Sequence, residues 1–282
     1  MKGRLEDRRL LTGQGRFISD WNFPNQAYVA FLRSDRAHAE IVSIDAAAAL
    51  GSPGVLAVLT GEDVSAAGCK SIPTNLGVND RFGEPLKKPP RPVLAQGKVR
   101  HVGECVACVV AESAHAAQDA VELISVEYRD LPAVTSAERA LQAGAAQVHA
   151  ELPGNLSFDW VAGDEAATDA AFRSAVRVVK LDLENQRLIG NPMEPRACAA
   201  TYDPAEQKYA LYACTQGTAG MRAQLVHTLG VPDDKVDVIA EDVGGGFGVR
   251  FNMYPEYCAV MLAAASQAAA RRRRRWVVTA PF

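Results

Sequence analysis

The chain has 282 residues, of which 48% are apolar and 22% charged, with a formal net charge of -3. Those proportions are ordinary for a packed globular protein and exclude a disordered or fibrous chain. A balance so close to neutral gives no electrostatic basis for nucleic acid or an anionic membrane as a partner of the whole chain. No apolar run approaches the roughly 20 residues of a membrane span, and the N-terminus "MKGRLEDRRLLTGQGRF" lacks the apolar core of a signal peptide, so a cytoplasmic protein is expected.

In chain order, "QAYVAFLRS" and "AEIVSIDAAAAL" alternate or cluster β-formers, and "SPGVLAVLTGEDV" gives a turn, a strand and a helix start at Gly61 to Asp63. After a loop rich in Pro and Gly, the strand "CVACVVAE" leads into the helical "SAHAAQDAVELI", with Ser113 as N-cap, and then into the strand "SVEYRDLPAV". Strand, helix, strand in that order predicts a right-handed crossover. Residues 135–155 are Ala- and Gln-rich with little core pattern and are expected to be a linker. Beyond them come the helix "DEAATDAAFRSA", the strands "VRVVKLDLENQ", "RACAATYD" and "KYALYACT", and the helix "TAGMRAQLVHTLG" with Gly230 as C-cap. The strand "KVDVIAED", a glycine cluster, the helix "YPEYCAVMLAAASQ" and a strand-like "WVVT" complete the series.

Six cysteines lie mostly in apolar stretches and read as reduced core thiols. Cys105 and Cys108 form a C-x-x-C, but residues three apart on a strand point to opposite faces and no second C-x-x-C exists, so buried structural thiols are expected. The five histidines are isolated and show no metal-ligand spacing.

The cluster "DVGGGFGVR", Asp242–Arg250, puts four glycines into five positions after an apolar strand. Such a turn lets backbone N–H groups face an anion or a bulky cofactor. A dinucleotide fingerprint fails because Val249 and Phe251 stand where glycine is required, and no Gly-Lys-Ser/Thr follows for a P-loop. A tight turn with no ligand remains open on local chemistry alone.

Together with Thr215–Gln216 and "NPMEPRA" at Asn191–Ala197, this cluster resembles the large, molybdopterin-binding subunit of the molybdenum hydroxylases. That is the xanthine dehydrogenase and aldehyde oxidase family, and within it the branch similar to the aerobic carbon monoxide dehydrogenase large subunit. "EDRRLLTGQGRFISD", "FLRSDRAHAEIVSID", "PGVLAVLTGEDV" and the stretch from Val99 to Val134 resemble its α/β-hammerhead domain. The resemblance implies a mixed α/β (α+β) fold: a hammerhead domain over 15–134, a linker over 135–155, and part of a molybdopterin-binding domain over 156–282. Because residues 15–134 contain both strand–helix–strand units with their caps, they are expected to fold by themselves.

The resemblance also implies that Gly245, Gly246, Phe247 and Gly248 lie against the molybdenum cofactor, with the cytosine dinucleotide form of the pterin as one candidate. Gln216 matches a glutamine whose amide donates to an oxo ligand; an ordinary helix-capping residue is the alternative. Arg250 is placed either on a cofactor phosphate or in solvent. Glu194 and Arg196 are expected to pair structurally.

The implied activity is oxidation or hydroxylation of an aldehyde, an N-heterocycle or carbon monoxide with water as oxygen source, alongside iron–sulfur and FAD subunits and a small-molecule substrate, with no nucleic acid and no membrane span. Relatives continue beyond the point matching Gln267 into segments that carry a glutamate base, whereas here "ARRRRRWVVTAPF" follows. The chain therefore reads as truncated, needing another chain for the missing half, or as an inactive fragment with a structural or partner-binding role. The final strands and helix are expected to leave apolar faces and a strand edge bare, making the isolated chain oligomeric or poorly soluble.

Overall fold

The structure, a computed structural model, describes residues 3–186, 188–271 and 276–281. Four of the five consecutive arginines, Arg272 to Arg275, lie outside the described residues, and so does any reading of that run.

Helix α1 (Asp7–Leu11) precedes strand β1 (Ala27–Arg33), β2 (Ala39–Asp45), α2 (Ala47–Leu50), β3 (Val55–Thr60) and α3 (Gly61–Ala66). Then come β4 (Lys98–Val99), β5 (Cys105–Ala111), α4 (Ala114–Val121), β6 (Ser125–Asp130), α5 (Ala137–Ala140) and α6 (Glu165–Ser174). The series closes with β7 (Ala197–Asp203), β8 (Lys208–Ala213), α7 (Thr218–Leu229), β9 (Val236–Ile239), α8 (Pro255–Arg271) and β10 (Trp276–Pro281). Local signals account for many of these bounds. Ser113 Oγ accepts the Ala116 N–H at the start of α4, and Gly230 ends α7 in the left-handed region at φ 68°.

Seven strands form one sheet in the order β3-β5-β1-β10-β7-β8-β9, and three form a second in the order β4-β2-β6. The expected crossover from β5 through α4 to a parallel partner is therefore not made. β6 instead pairs antiparallel with β2, Tyr128 opposite Ile41 and Val126 opposite Ile44, because its apolar side matches the partly buried side of β2 rather than the fully buried β5. Helix α4 still packs on β1 and β5, burying Ala117, Ala120 and Val121.

On the sheet's other face lies α8, whose Tyr257, Cys258, Ala259, Val260, Met261, Ala263 and Ala264 are fully buried. A helix apolar on nearly every side must be covered on every side, and α8 touches β7, β10, β5, β8, β3 and α7. β10 is likewise not an edge: it runs parallel to β1 and antiparallel to β7, with Val278 opposite both Ala27 and Ala200. The expectation of bare faces and an open edge over β8, β9, β10 and α8 is thus corrected for β10 and α8, whereas β9, one of those strands, is an edge of this sheet, and β3 is the other. β1 accordingly draws one of its two neighbours from outside 15–134.

Every residue of β5 is buried, and here the alternation expected of a strand is broken. Leu32 pairs with Ala107 but Arg33 pairs with Cys105, so Val106 is an extra residue bulged out of the ladder. The bulge turns Cys105 to the face that Cys108 and Val110 occupy, and both thiols end in one apolar cluster instead of on opposite faces. All six cysteines are free. Burial pushes the Cys108 thiol up to about 12 and raises Cys105 further, so both are protonated and inert at neutral pH.

The described residues fall into two compact units: one of residues up to Pro73, Pro90–Ala133 and from Gly190 onward, the other of Thr74–Pro89 and Val134–Ile189. In the second unit Asn155 organises the stretch around it, donating through Nδ2 to the Ala140 and Ala146 carbonyls and accepting the Val148 N–H on Oδ1. Arg81 pairs with Asp159 at 2.9 Å. The strand expected at "VRVVKLDLENQ" is not formed by its described residues: no neighbouring strand offers a ladder, and Val176, Val179, Leu181 and Leu183 are exposed. Among the described residues no helix is long and apolar enough to cross a membrane.

Candidate functional site

The end of β9 leads through Asp242 into the glycine loop, and two buried groups, Glu194 and Arg250, hold that loop from beneath. Glu194, placed just before β7, accepts the Gly244 N–H at 2.8 Å and the Arg250 Nη1 on Oε2, and the Ile18 N–H at 3.3 Å on Oε1. Arg250 Nη2 also donates to the Glu194 carbonyl. Both side chains of this ion pair are almost fully buried, at 2% and 3% exposure. Neither of the two places expected for the Arg250 guanidinium, a cofactor phosphate or solvent, is where the structure puts it: it is turned inward. The expected pairing of Glu194 with Arg196 is not made either. Arg196 lies instead over the Tyr254 ring, 3.6 Å from its centroid.

Gln216 follows β8 and is locked to the loop's far end. Its N–H donates to the Arg250 carbonyl at 3.1 Å, which also accepts the Thr215 hydroxyl at 3.1 Å, while the Arg250 N–H donates to Gln216 Oε1 at 3.3 Å. Because that N–H requires an acceptor, Oε1 is the amide atom turned to it, which leaves Nε2 of this exposed residue as a donor.

Two different needs explain the glycines. A Cβ on Gly246 would lie 2.8 Å from Gln216 Oε1 and overlap Cγ and Cδ, and one on Gly244 would press on Glu194 Cβ. Those two positions are bare because other side chains of this chain press against the backbone. Gly245 and Gly248 are bare for conformation, at φ 107° and 82°, and nothing lies within 4 Å of where a Gly248 side chain would begin. Phe247 between them is itself left-handed at φ 48°, uncommon for an aromatic residue, and the residue is 76% exposed.

The loop's hydrogen bonds leave one feature open. Gly244, Val249, Arg250 and Phe251 each donate within the chain. The N–H groups of Gly245, Gly246, Phe247 and Gly248 have no acceptor among the described residues. Four successive donors beside the Gln216 amide form a half-exposed cradle suited to an oxygen-rich or anionic group. Among the described residues no group of three or more His, Cys, Asp or Glu side chains could hold a metal ion.

An N-terminal arm that sequence reasoning left without a role closes the loop's other end. Arg9 grips Asp242 with both guanidinium nitrogens, Nη2 to Oδ1 at 2.6 Å, and the Arg16 N–H donates to Oδ2 at 2.7 Å. The only local signal was a carboxylate two residues before the first glycine, since its partners lie more than 200 residues away.

The Arg9 hydrogen bond, helped by the Arg16 N–H, holds the Asp242 carboxyl below the usual carboxylate value. A depressed folded value means stability that is present above the unfolded value of about 3.9 and lost as pH falls through the folded one. The stability difference between the parent chain and Asp242→Asn should therefore be constant above about pH 5 and close below about pH 4. Urea midpoints of the two proteins across that range measure it, and a gap independent of pH would show that the charge is not what holds the arm.

Two family models match the chain. One, described as aldehyde oxidase and xanthine dehydrogenase, a/b hammerhead domain, matches residues 12–132, and the other, molybdopterin cofactor-binding domain, matches 148–279. The chain belongs to the aldehyde oxidase and xanthine dehydrogenase family of molybdenum hydroxylases. Within this family it is 34% identical over 269 residues to the carbon monoxide dehydrogenase large chain of Hydrogenophaga pseudoflava, covering 91% of this chain and 32% of that one. It is 36% identical over 262 residues to the nicotine 6-hydroxylase large subunit of Paenarthrobacter nicotinovorans, covering 92% and 31%. Quinoline 2-oxidoreductase from Pseudomonas putida 86 superposes with a TM-score of 0.86 at 37% identity, over 99% of this chain and 34% of that one. The chain thus spans about a third of the length of these relatives, and the mixed α/β fold expected from the motifs is the family's fold.

Proposed function

We propose that this chain supplies the hammerhead and first cofactor-binding portion of a molybdenum hydroxylase large subunit, with Gln216, Gly245, Gly246, Phe247 and Gly248 as its contribution to the cofactor cradle. The observation that carries the reading is the run of four unused main-chain donors beside an amide whose orientation is fixed. The donor set fits the group: N–H donors satisfy pterin and oxo oxygens without competing as metal ligands. When bound, the molybdenum cofactor supplies oxidation of a substrate carbon with water as the oxygen source.

The chain's own residues orient it. The loop donates from four consecutive amides, and Gln216 Nε2 donates from the side. Arg250 acts from beneath, through its N–H and carbonyl on Gln216 and its guanidinium on Glu194. Division into a hammerhead over 15–134, a linker over 135–155 and a partial molybdopterin-binding domain over 156–282 is supported by the gap between the two matched stretches. A complex with iron–sulfur and FAD subunits, and with a chain completing the cofactor site, is supported by relatives named as a large chain and as a complex subunit. Six free thiols suit the cytoplasm. The substrate class proposed is an aldehyde, an N-heterocycle or carbon monoxide, in keeping with relatives named for carbon monoxide, nicotine and quinoline.

The test is molybdenum analysis of the chain purified with whatever co-elutes, for the parent and for Gln216→Glu. Glutamate keeps an acceptor for the Arg250 N–H but replaces the Nε2 donor with a negative oxygen, so metal per chain should fall about tenfold or more. A parent preparation without molybdenum would favour the structural or partner-binding role, and equal metal in both would remove Gln216 from the cradle.

A further inference from the structure

Cys69 and Cys258 are separated by 189 residues in sequence, yet their sulfurs stand 3.9 Å apart. Each is held by a different element. Cys258 is fully buried on α8, a few residues into the helix. Cys69 follows α3 on a stretch pinned by two backbone bonds, its own N–H to the Val64 carbonyl at 3.2 Å and the Lys70 N–H to the Thr228 carbonyl at 2.7 Å. It is half-buried, and the other five cysteines are buried. The two sulfurs are thus preset within reach of each other, one accessible and one sheltered.

We propose that Cys69 and Cys258 form a peroxide-reactive thiol pair, in which Cys69 is the attacking sulfur and Cys258 the resolving one. The Cys69 thiolate attacks one oxygen of a hydroperoxide; the O–O bond breaks, Cys69 becomes a sulfenic acid, and the other oxygen leaves as hydroxide or alcohol. The Cys258 sulfur then attacks the Cys69 sulfur, its proton joining the departing hydroxyl as water. Two thiols are oxidised to one cystine and one peroxide is reduced.

The electrostatics agree with this assignment. A hydrogen bond from Cys258 lowers the Cys69 thiol, against the opposing effect of burial, whereas the same contact and burial raise Cys258 well above the ordinary value. Burial raises Cys105, Cys108, Cys198 and Cys214 as well, and Cys69 is the one cysteine that is only half-buried, which makes it the thiol that a peroxide can reach. The pair lies outside the cofactor cradle, and the proposal does not depend on the function proposed above.

The full chain treated with hydrogen peroxide, then alkylated and digested without reduction, tests it. The expected product is a single cross-linked peptide pair containing Cys69 and Cys258, with a mass loss of two hydrogens. In Cys258→Ser, dimedone should trap a sulfenic acid on Cys69 instead; Cys258→Ala serves if serine disturbs the core. Cys69→Ser should form no cystine, and native alkylation of the parent should label Cys69 roughly tenfold faster than any other thiol. A cystine between any other pair, a Cys69 that stays reduced in excess peroxide, or no dimedone adduct in either Cys258 variant would overturn the proposal.

Discussion

Replacing Glu194 by alanine is expected to cost about 3–5 kcal/mol of folding stability, because it strands the Arg250 guanidinium in a site where both partners are almost fully buried. The same change removes the acceptor of the Gly244 and Ile18 N–H groups. In a chain of this size the loss corresponds to a fall in melting temperature on the order of 10 °C. The double variant Glu194→Leu with Arg250→Leu should recover the part of that cost due to the stranded charge, since it leaves no buried charge unpaired, while the Gly244 and Ile18 N–H groups remain without their acceptor. Urea unfolding of the parent, single and double variants gives the comparison. A single variant that loses less than about 1 kcal/mol would mean that the pair is open to water and does not support the loop.

The second large effect concerns Gly246. Alanine there collides with the Gln216 side chain, and the cost should be about 1–3 kcal/mol with no cofactor present. If Gln216 is the obstacle, most of the cost of Gly246→Ala should vanish in a Gln216→Ala background, and a double-mutant cycle on urea midpoints measures the coupling. Undiminished cost in that background would place the obstacle elsewhere. Gly246→Val, with more bulk and the same contact, should also abolish molybdenum retention in the partner-complete protein. Normal metal content in that variant would separate the loop from the cofactor altogether.

Much of this was legible in advance, for physical reasons that can be named. The strands of β1, β3, β5, β7, β8 and β9 and the helices α4, α6, α7 and α8 were visible because period and cap chemistry are local. The glycine cluster was visible too, and the unused donors of Gly245 to Gly248 fall on the residues that the resemblance had marked. What could not be read were pairings across long stretches of chain. The carboxylate of Glu194 could have met Arg196 two residues away, and only the fold shows that Arg250 is its partner. Arg9 carries no mark that it will find Asp242. β6 has the pattern of a strand but nothing local that says which sheet will take it. The bulge at Val106 is set by its match to Leu32 and Arg33, so the shared face of Cys105 and Cys108 could not be foreseen from spacing.

The position of β10 bears on how the molecule assembles. The trio β3-β5-β1 is complete once residue 111 has been made, and β7-β8-β9 once residue 239 has been made. Neither trio is hydrogen-bonded to the other; each meets only β10. During synthesis two half-sheets must therefore wait, each with a flank of unpaired amides and carbonyls, until β10 emerges and joins them. Contacts as remote as Ala27 with Val278 carry a high loop-closure cost and are made slowly. The nascent chain passes through an interval in which each half-sheet presents an unpaired flank, the kind of surface on which wrong strand pairing occurs.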